Sequence, residues 1–127
     1  MNNIVINIDF DGTVTTHDYP NIGKDIGAVP ILKLLTNNRH KLILFTMRSG
    51  KELQDSVDWF TKHNIPLYGI QTNPKQKHWT TSPKSHADLM IDDSALGCPL
   101  KFDSALSNRP FVDWEVVSTL LKNLKLI

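Results

Sequence analysis

Ile4-Val5-Ile6-Asn7-Ile8 runs straight into Asp9-Phe10-Asp11-Gly12-Thr13, and this junction decides the fold. The apolar run, broken only by Asn7, reads as a mostly buried strand. It ends in two carboxylates, a glycine and a threonine. Negative charges held close together repel, and the end of a packed sheet offers little water. Such a pair persists where a cation sits between or beside the carboxylates. The placement matters as well, because ligand sites in open α/β sheets lie at the carboxyl ends of strands.

Outward from the junction, strands and helices alternate. The first strand covers about residues 3–9, and residues 12–26, rich in Gly, Asp, Asn, Pro and Thr, read as an irregular loop. A helix is expected over 27–37, with Ala28, Ile31, Leu32 and Leu35 at helical spacing and Pro30 in its first turn. Lys41 to Phe45 form a second strand that ends at Thr46. Ser49 and Glu52 make a capping-box pattern, which starts a helix reaching His63, with Leu53, Val57 and Phe60 on one face. A short strand follows at 67–70. Residues 71–86 are polar, carry Pro74, Pro83, Lys75, Lys77 and Lys84, and read as loop. The fourth strand, 88–91, ends at Asp92-Asp93. A last helix is expected over 111–125, with Val116, Val117, Leu120, Leu121 and Leu124 as its buried stripe. This order predicts an α/β fold with a doubly wound, mostly parallel sheet and helices on both faces.

The bulk properties narrow the function. The 127 residues are sized for a single domain, 1–127, and with 40% hydrophobic and 21% charged residues the chain is globular. A net charge of +1 gives no long-range field for nucleic acid, which is therefore not favoured as a partner, although a local basic patch stays open. One cysteine, Cys98, excludes an intrachain disulfide and a multi-cysteine metal site, and suits a reducing compartment. Met1-Asn2-Asn3 lacks a basic region, and the apolar stretch behind it is too short for a signal peptide or a membrane span. No membrane partner and a cytoplasmic location are expected.

The strand ends carry a wider pattern. The Asp-x-Asp-Gly-Thr sequence at residues 9–13 resembles the nucleophile motif of the haloacid dehalogenase superfamily of phosphotransferases. That family has a Ser or Thr after its second core strand, then a Lys, then an acidic pair after a hydrophobic strand. Here Thr46, Lys84 in Ser82-Pro83-Lys84, and Asp92-Asp93 after Leu89-Met90-Ile91 come in the same order. The resemblance implies a Mg²⁺-dependent phosphatase. Asp9 would be the nucleophile that forms an aspartyl-phosphate, and Asp11 the general acid/base, with neighbours that keep its pKa suitably high. Asp9, the backbone carbonyl of Asp11, and Asp92 would hold Mg²⁺, with Asp93 binding it directly or orienting a bound water. Thr46 and the backbone amides near it would bind phosphate oxygens, and Lys84 would offset their charge. Lys75 and Lys77 are the alternatives for the lysine.

Other residues admit two readings. Gly12 suits a tight turn close to phosphate. Thr13 caps the turn or bonds to Asp11. Arg48 fits either a contact to substrate phosphate or a surface role at the helix start. His17, Tyr19 and Asn21 lie in a flap and would touch substrate or pack within it. Trp79 would stack on a base or an aromatic leaving group, or pack onto the protein, and packing is the expectation. Trp59 and Trp114 are expected in the core or at a subunit contact. No pair of histidines has zinc spacing, and Cys98 has no partner base. The two slots that hold a cap domain in larger members of the superfamily, 12–26 and 71–86, are too short to build one. The chain therefore resembles the capless members, whose open site implies a large phosphorylated substrate or a second subunit as cover. Two alternatives remain: a binding module that has lost the chemistry, and a phosphoaspartate receiver domain. Receivers usually carry the phosphorylated Asp at the third strand, where this chain has Tyr68-Gly69-Ile70.

Overall fold

The computed structural model describes residues 3–127; Met1 and Asn2, at the start of the stretch read above for a leader, lie outside the described residues. The elements run β1 (Val5–Ile8), α1 (Ala28–Asn37), β2 (Lys41–Leu44), α2 (Gly50–Lys62), β3 (Gly69–Ile70), β4 (Leu89–Ile91), β5 (Leu100–Lys101), β6 (Phe111–Val112) and α3 (Trp114–Asn123), with a single 3₁₀ turn at Gln76–His78. The first four strands form a parallel sheet in the order β3-β2-β1-β4.

Register explains the layering. Ile6 pairs with Leu42 and Leu89, and Ile8 with Leu44 and Ile91, so these side chains share one face. They join one apolar cluster with Leu32 and Leu35 of α1, Phe60 of α2, and Val117 and Leu121 of α3. Asn7, Ile43 and Met90 point the other way. That face is covered by the 71–87 segment: Asn7 donates to the Ser85 carbonyl at 3.1 Å and accepts from its hydroxyl at 3.1 Å. Two crossovers step outward from β1 to β3, and the third jumps back past β1 to β4. Crossovers of constant hand that run in opposite directions must lie on opposite faces. α1 and α2 thus share one side, and α3 joins them there through the same apolar cluster. The second helical layer expected from the sequence is replaced by an irregular crossover with one 3₁₀ turn.

Three further expectations change. Residues 111 and 112 are not helical: Phe111 and Val112 are fully buried and pair antiparallel with Leu100 and Lys101. The helix starts after Asp113, whose carboxylate accepts from the amides of Glu115 and Val116. Its buried stripe is Trp114, Val117 and Leu121, while Val116, Leu120 and Leu124 are exposed. Ser49 occupies the N-cap position of α2, yet its side chain makes no cap bond, so the capping box does not form. Trp59 and Trp114 are core residues. Among the described residues no helix is long and apolar enough to cross a membrane.

Candidate active site

The reversal of strand order falls between β1 and β4, and the crevice at their carboxyl ends is where such sheets bind ligands. Asp9 follows β1 and Asp92-Asp93 follow β4. The Asp9 amide donates to the Ile91 carbonyl at 3.0 Å, which carries the ladder one residue past the strands and locks the two acidic ends together. One oxygen from each of Asp9, Asp92 and Asp93 lies within 4.8 Å of the others.

Thr13 organises this cluster. Its hydroxyl donates to Asp9 Oδ2 at 2.7 Å and accepts from the Asp93 amide at 3.0 Å. It bonds to Asp9 rather than to Asp11, the partner read from the sequence. The turn is closed by the amides of Thr13 and Val14, both donating to the Phe10 carbonyl, and Trp114 Nε1 donates to the Thr13 carbonyl at 2.7 Å. Phe10 is fully buried, with the Trp59 ring edge-on at 5.7 Å. The nucleophile candidate therefore sits on a rigid base. Burial pushes the Asp9 carboxyl up from its ordinary value of 3.8 to about 7; the charge of Asp92 adds to this and the Thr13 hydroxyl opposes it.

Asp93 has a second partner, His17 Nε2, at 2.9 Å. This contact packs against Gly12, whose φ is 77°. A β-carbon there would collide with the His17 ring and the Asp93 carboxylate, so the position requires glycine for space as well as for backbone conformation. His17 thus reaches the acidic cluster instead of packing within the flap. Asp92 is held by the amide and hydroxyl of Ser94, at 2.9 and 2.8 Å.

Asp11 points elsewhere. Both of its oxygens accept from Arg48, Nε to Oδ2 at 2.9 Å and Nη2 to Oδ1 at 2.7 Å. Arg48, only 2% exposed, also donates to the carbonyls of Pro20, Asn21 and Glu52. All five of its N–H donors are used. The guanidinium lies over the rings of Phe10 and Tyr19, at 5.0 and 5.3 Å. Arg48 is therefore neither a surface residue nor free to meet phosphate. It ties Asp11 to the flap and to α2. The neighbour that the fold supplies for Asp11 is a guanidinium rather than an apolar wall, and the Asp11 carboxylate stands outside the three-aspartate cluster.

At the end of β2, Thr46 is fixed by Gln71. The Gln71 side chain accepts from the Thr46 amide at 2.9 Å and donates to the carbonyls of Thr46 and Arg48. The Thr46 hydroxyl accepts from the Arg48 amide at 3.1 Å. Two amides expected to be open to phosphate are thus already bonded, while Met47 between them is 98% exposed. Lys84 is exposed, and among the described residues its ammonium makes no ion pair with the aspartates. The fold brings Asp9, Asp92 and Asp93 together, sets Asp11 beside them on Arg48, and leaves Lys84 apart. Arg48 and Gln71 escape sequence reasoning because nothing local marks a buried arginine or a left-handed glutamine (φ 65°). Cys98 is half-buried and burial pushes its thiol up, in keeping with a cysteine that is no nucleophile.

Fold and site together define an α/β protein with a four-stranded parallel sheet and a three-carboxylate cluster at its switch point. No family model matches the chain, and no curated protein matches it. Among solved structures, the conserved protein coded by a locus from Bacteroides thetaiotaomicron is similar: TM-score 0.78 and 33% identity, over 96% of this chain and 92% of that one. At that identity and coverage, the chain belongs to the same family as this conserved Bacteroides protein.

Proposed function

We propose that this chain is a Mg²⁺-dependent phosphomonoester hydrolase of the haloacid dehalogenase type, acting through an aspartyl-phosphate on Asp9. The observation that supports this most is the meeting of Asp9, Asp92 and Asp93 at the switch point, ordered by the Thr13 hydroxyl. Three carboxylates form a hard oxygen donor set that fits Mg²⁺, and a cation would stabilise the ionised Asp9 that burial, with the Asp92 charge beside it, disfavours. Asp9, Asp92 and Asp93, with the backbone carbonyl of Asp11, would hold the ion. When bound, Mg²⁺ offsets negative charge on nucleophile and phosphate.

The chain's own groups carry the steps. Thr13 holds one oxygen of Asp9 and orients the other toward phosphorus. The new bond from Asp9 to phosphorus forms as the bond to the leaving oxygen breaks, and Asp11 gives that oxygen its proton. Water then attacks phosphorus and gives its own proton to Asp11; inorganic phosphate leaves and the Asp9 carboxylate returns. Both Asp11 oxygens are acceptors from Arg48, so proton donation opens at least one of those bonds. Arg48 is thereby the positioning residue for Asp11. Thr46 and Met47 would face the phosphate, and Lys84, which stands apart from the aspartates, would have to swing in to offset charge. Residues 12–26 form a short flap pinned by His17 and Arg48, so the site stays open to a large substrate.

The test is phosphate release from p-nitrophenyl phosphate and acetyl phosphate, with and without Mg²⁺, for wild type beside Asp9→Asn. Metal-dependent turnover lost in the variant is the expected result. Saturable Mg²⁺ binding with no turnover of either compound would replace this reading with a binding module.

A further inference from the structure

Trp79 is 67% exposed, against 9% for Trp59 and 3% for Trp114. Indole is highly buried on average, so such exposure calls for a use. The loop that carries Trp79 is well braced. Buried Gln76 donates to the carbonyls of Ser82 and Lys84, at 3.0 and 2.9 Å, and accepts from the His86 amide at 2.7 Å. Asn73, also buried, donates to the His86 carbonyl and accepts from the Lys75 amide. The Trp79 amide donates to the Gln76 carbonyl at 3.0 Å, and the His86 ring stands at 86° to the indole, 5.5 Å away. Internal polar struts thus hold the indole out toward solvent.

Charge gathers on the same segment. Between Trp59 and Ala87 the chain has no acidic residue, and Lys75, Lys77, His78, Lys84 and His86 are all exposed within seven residues of Trp79, with His86 against the indole and Lys84 lining the same cleft. The overall charge of +1 hides this segregation. Two clefts of about 380 and 340 Å³ share Thr80 and Ser82; Lys77 lines the first, Trp79 and Lys84 the second. A matching ligand has spaced negative charges and a flat apolar face. An acidic peptide would satisfy the lysines and leave the indole bare. A duplex hides its base faces. A single strand offers phosphates to the lysines and an open base to the indole, and such stacking tolerates any sequence.

We propose that the 71–87 loop is a binding surface for single-stranded nucleic acid. This goes beyond the phosphatase reading and does not rest on it, since its test reads binding rather than hydrolysis. Trp59 and Trp114 are buried, so fluorescence quenching of the whole chain reports on Trp79. Titration with an oligothymidylate should give saturable quenching that weakens with salt, with a log–log slope of about −2 for three lysine contacts. Measured by anisotropy of a labelled oligonucleotide, Trp79→Ala should weaken binding roughly tenfold or more. The pair Lys75→Glu and Lys77→Glu should do the same. These side chains are exposed, and circular dichroism checks that each variant folds. Several results would overturn the proposal: equal affinity for duplex and single strand, binding indifferent to Trp79→Ala, a mononucleotide binding as tightly as the oligonucleotide, or quenching that follows protein concentration alone and so marks self-association through the indole.

Discussion

Asp9 carries a conflict between stability and chemistry. Its carboxyl is half-buried beside two other acids, and its pKa rises from 3.8 to about 7. A raised carboxyl pKa means that the folded protein holds a proton between these values that the unfolded chain has lost. The metal-free protein therefore loses stability as pH climbs from about 4 to about 7, and stays at the lower level above that. Asn at this position has no charge to hide and can still accept from Thr13. Asp9→Asn should abolish turnover by on the order of 10³-fold or more. It should also stabilise the metal-free protein at pH 8 by roughly 1–2 kcal/mol, after discounting for solvent screening, and have no such effect at pH 4. Urea melts of both proteins at the two pH values check this; an equal effect at both would mean that the Asp9 charge is not the source. His17 poses the complementary case. It touches Asp93 at 2.9 Å and makes no direct claim on substrate. Outer partners of metal ligands typically carry 10- to 100-fold in affinity, so His17→Ala should weaken Mg²⁺ binding by about tenfold. Calorimetric titration with Mg²⁺ alone reads this without turnover, and unchanged affinity would show that Asp93 needs no orienting partner.

At the scale of elements, Arg48 joins parts that the sequence keeps separate: the turn after β1, the flap carbonyls of Pro20 and Asn21, and the first turn of α2 at Glu52. Breaking a buried, fully bonded ion pair from one side costs about 3–5 kcal/mol, because the partner charge is left behind. Arg48→Ala should cost that much in denaturant melts, whereas in an Asp11→Asn background the same change should cost clearly less, since the stranded charge is gone. Equal costs in the two backgrounds would place the value of Arg48 in its carbonyl bonds alone. In either background, loss of the Pro20 and Asn21 contacts should speed proteolysis within 16–26. Legibility in the sequence follows the same division. Strand one, α1 and the positions of Asp9 and Asp92 rest on local periodicity and on strand ends, and these are legible. The Arg48 clamp spans 37 residues to Asp11, and the Gln71 strut spans 25 to Thr46; no local pattern announces either. Phe111-Val112 read from the sequence as the start of the last helix, because their apolar character suits either state. Only pairing with Leu100-Lys101 decides it.

For the whole molecule, the parallel sheet gathers its acidic ends at one edge, and the one-sided arrangement of helices leaves that edge roofed only by short loops. Among the described residues the three helices and one sheet face build a large apolar cluster that reaches Phe10 and Val14 under the acidic edge, so the edge rests on the core while its carboxylates stay at the rim. The crowding of Asp9, Asp92 and Asp93 then works against folding, and a cation bound there should be visible as a rise in global stability. With Mg²⁺ at about ten times its dissociation constant, the stabilisation is about 1.4 kcal/mol. For 127 residues, an unfolding entropy of roughly 0.27 kcal/mol/K converts this to a Tm rise of about 5 °C. The rise should be largest above pH 7, where Asp9 is already ionised, and should shrink as pH falls below that, because the ion must then displace a proton. Chelation should reverse it. Asp92→Asn should abolish it while leaving the metal-free Tm at pH 8 the same or higher, since removing one of three crowded charges relieves the other two. Differential scanning calorimetry with and without Mg²⁺, at pH 5.5 and pH 8, reads each of these points. A Tm indifferent to Mg²⁺ at both pH values would separate the acidic edge from any metal-dependent role, and the phosphatase reading would fall with it.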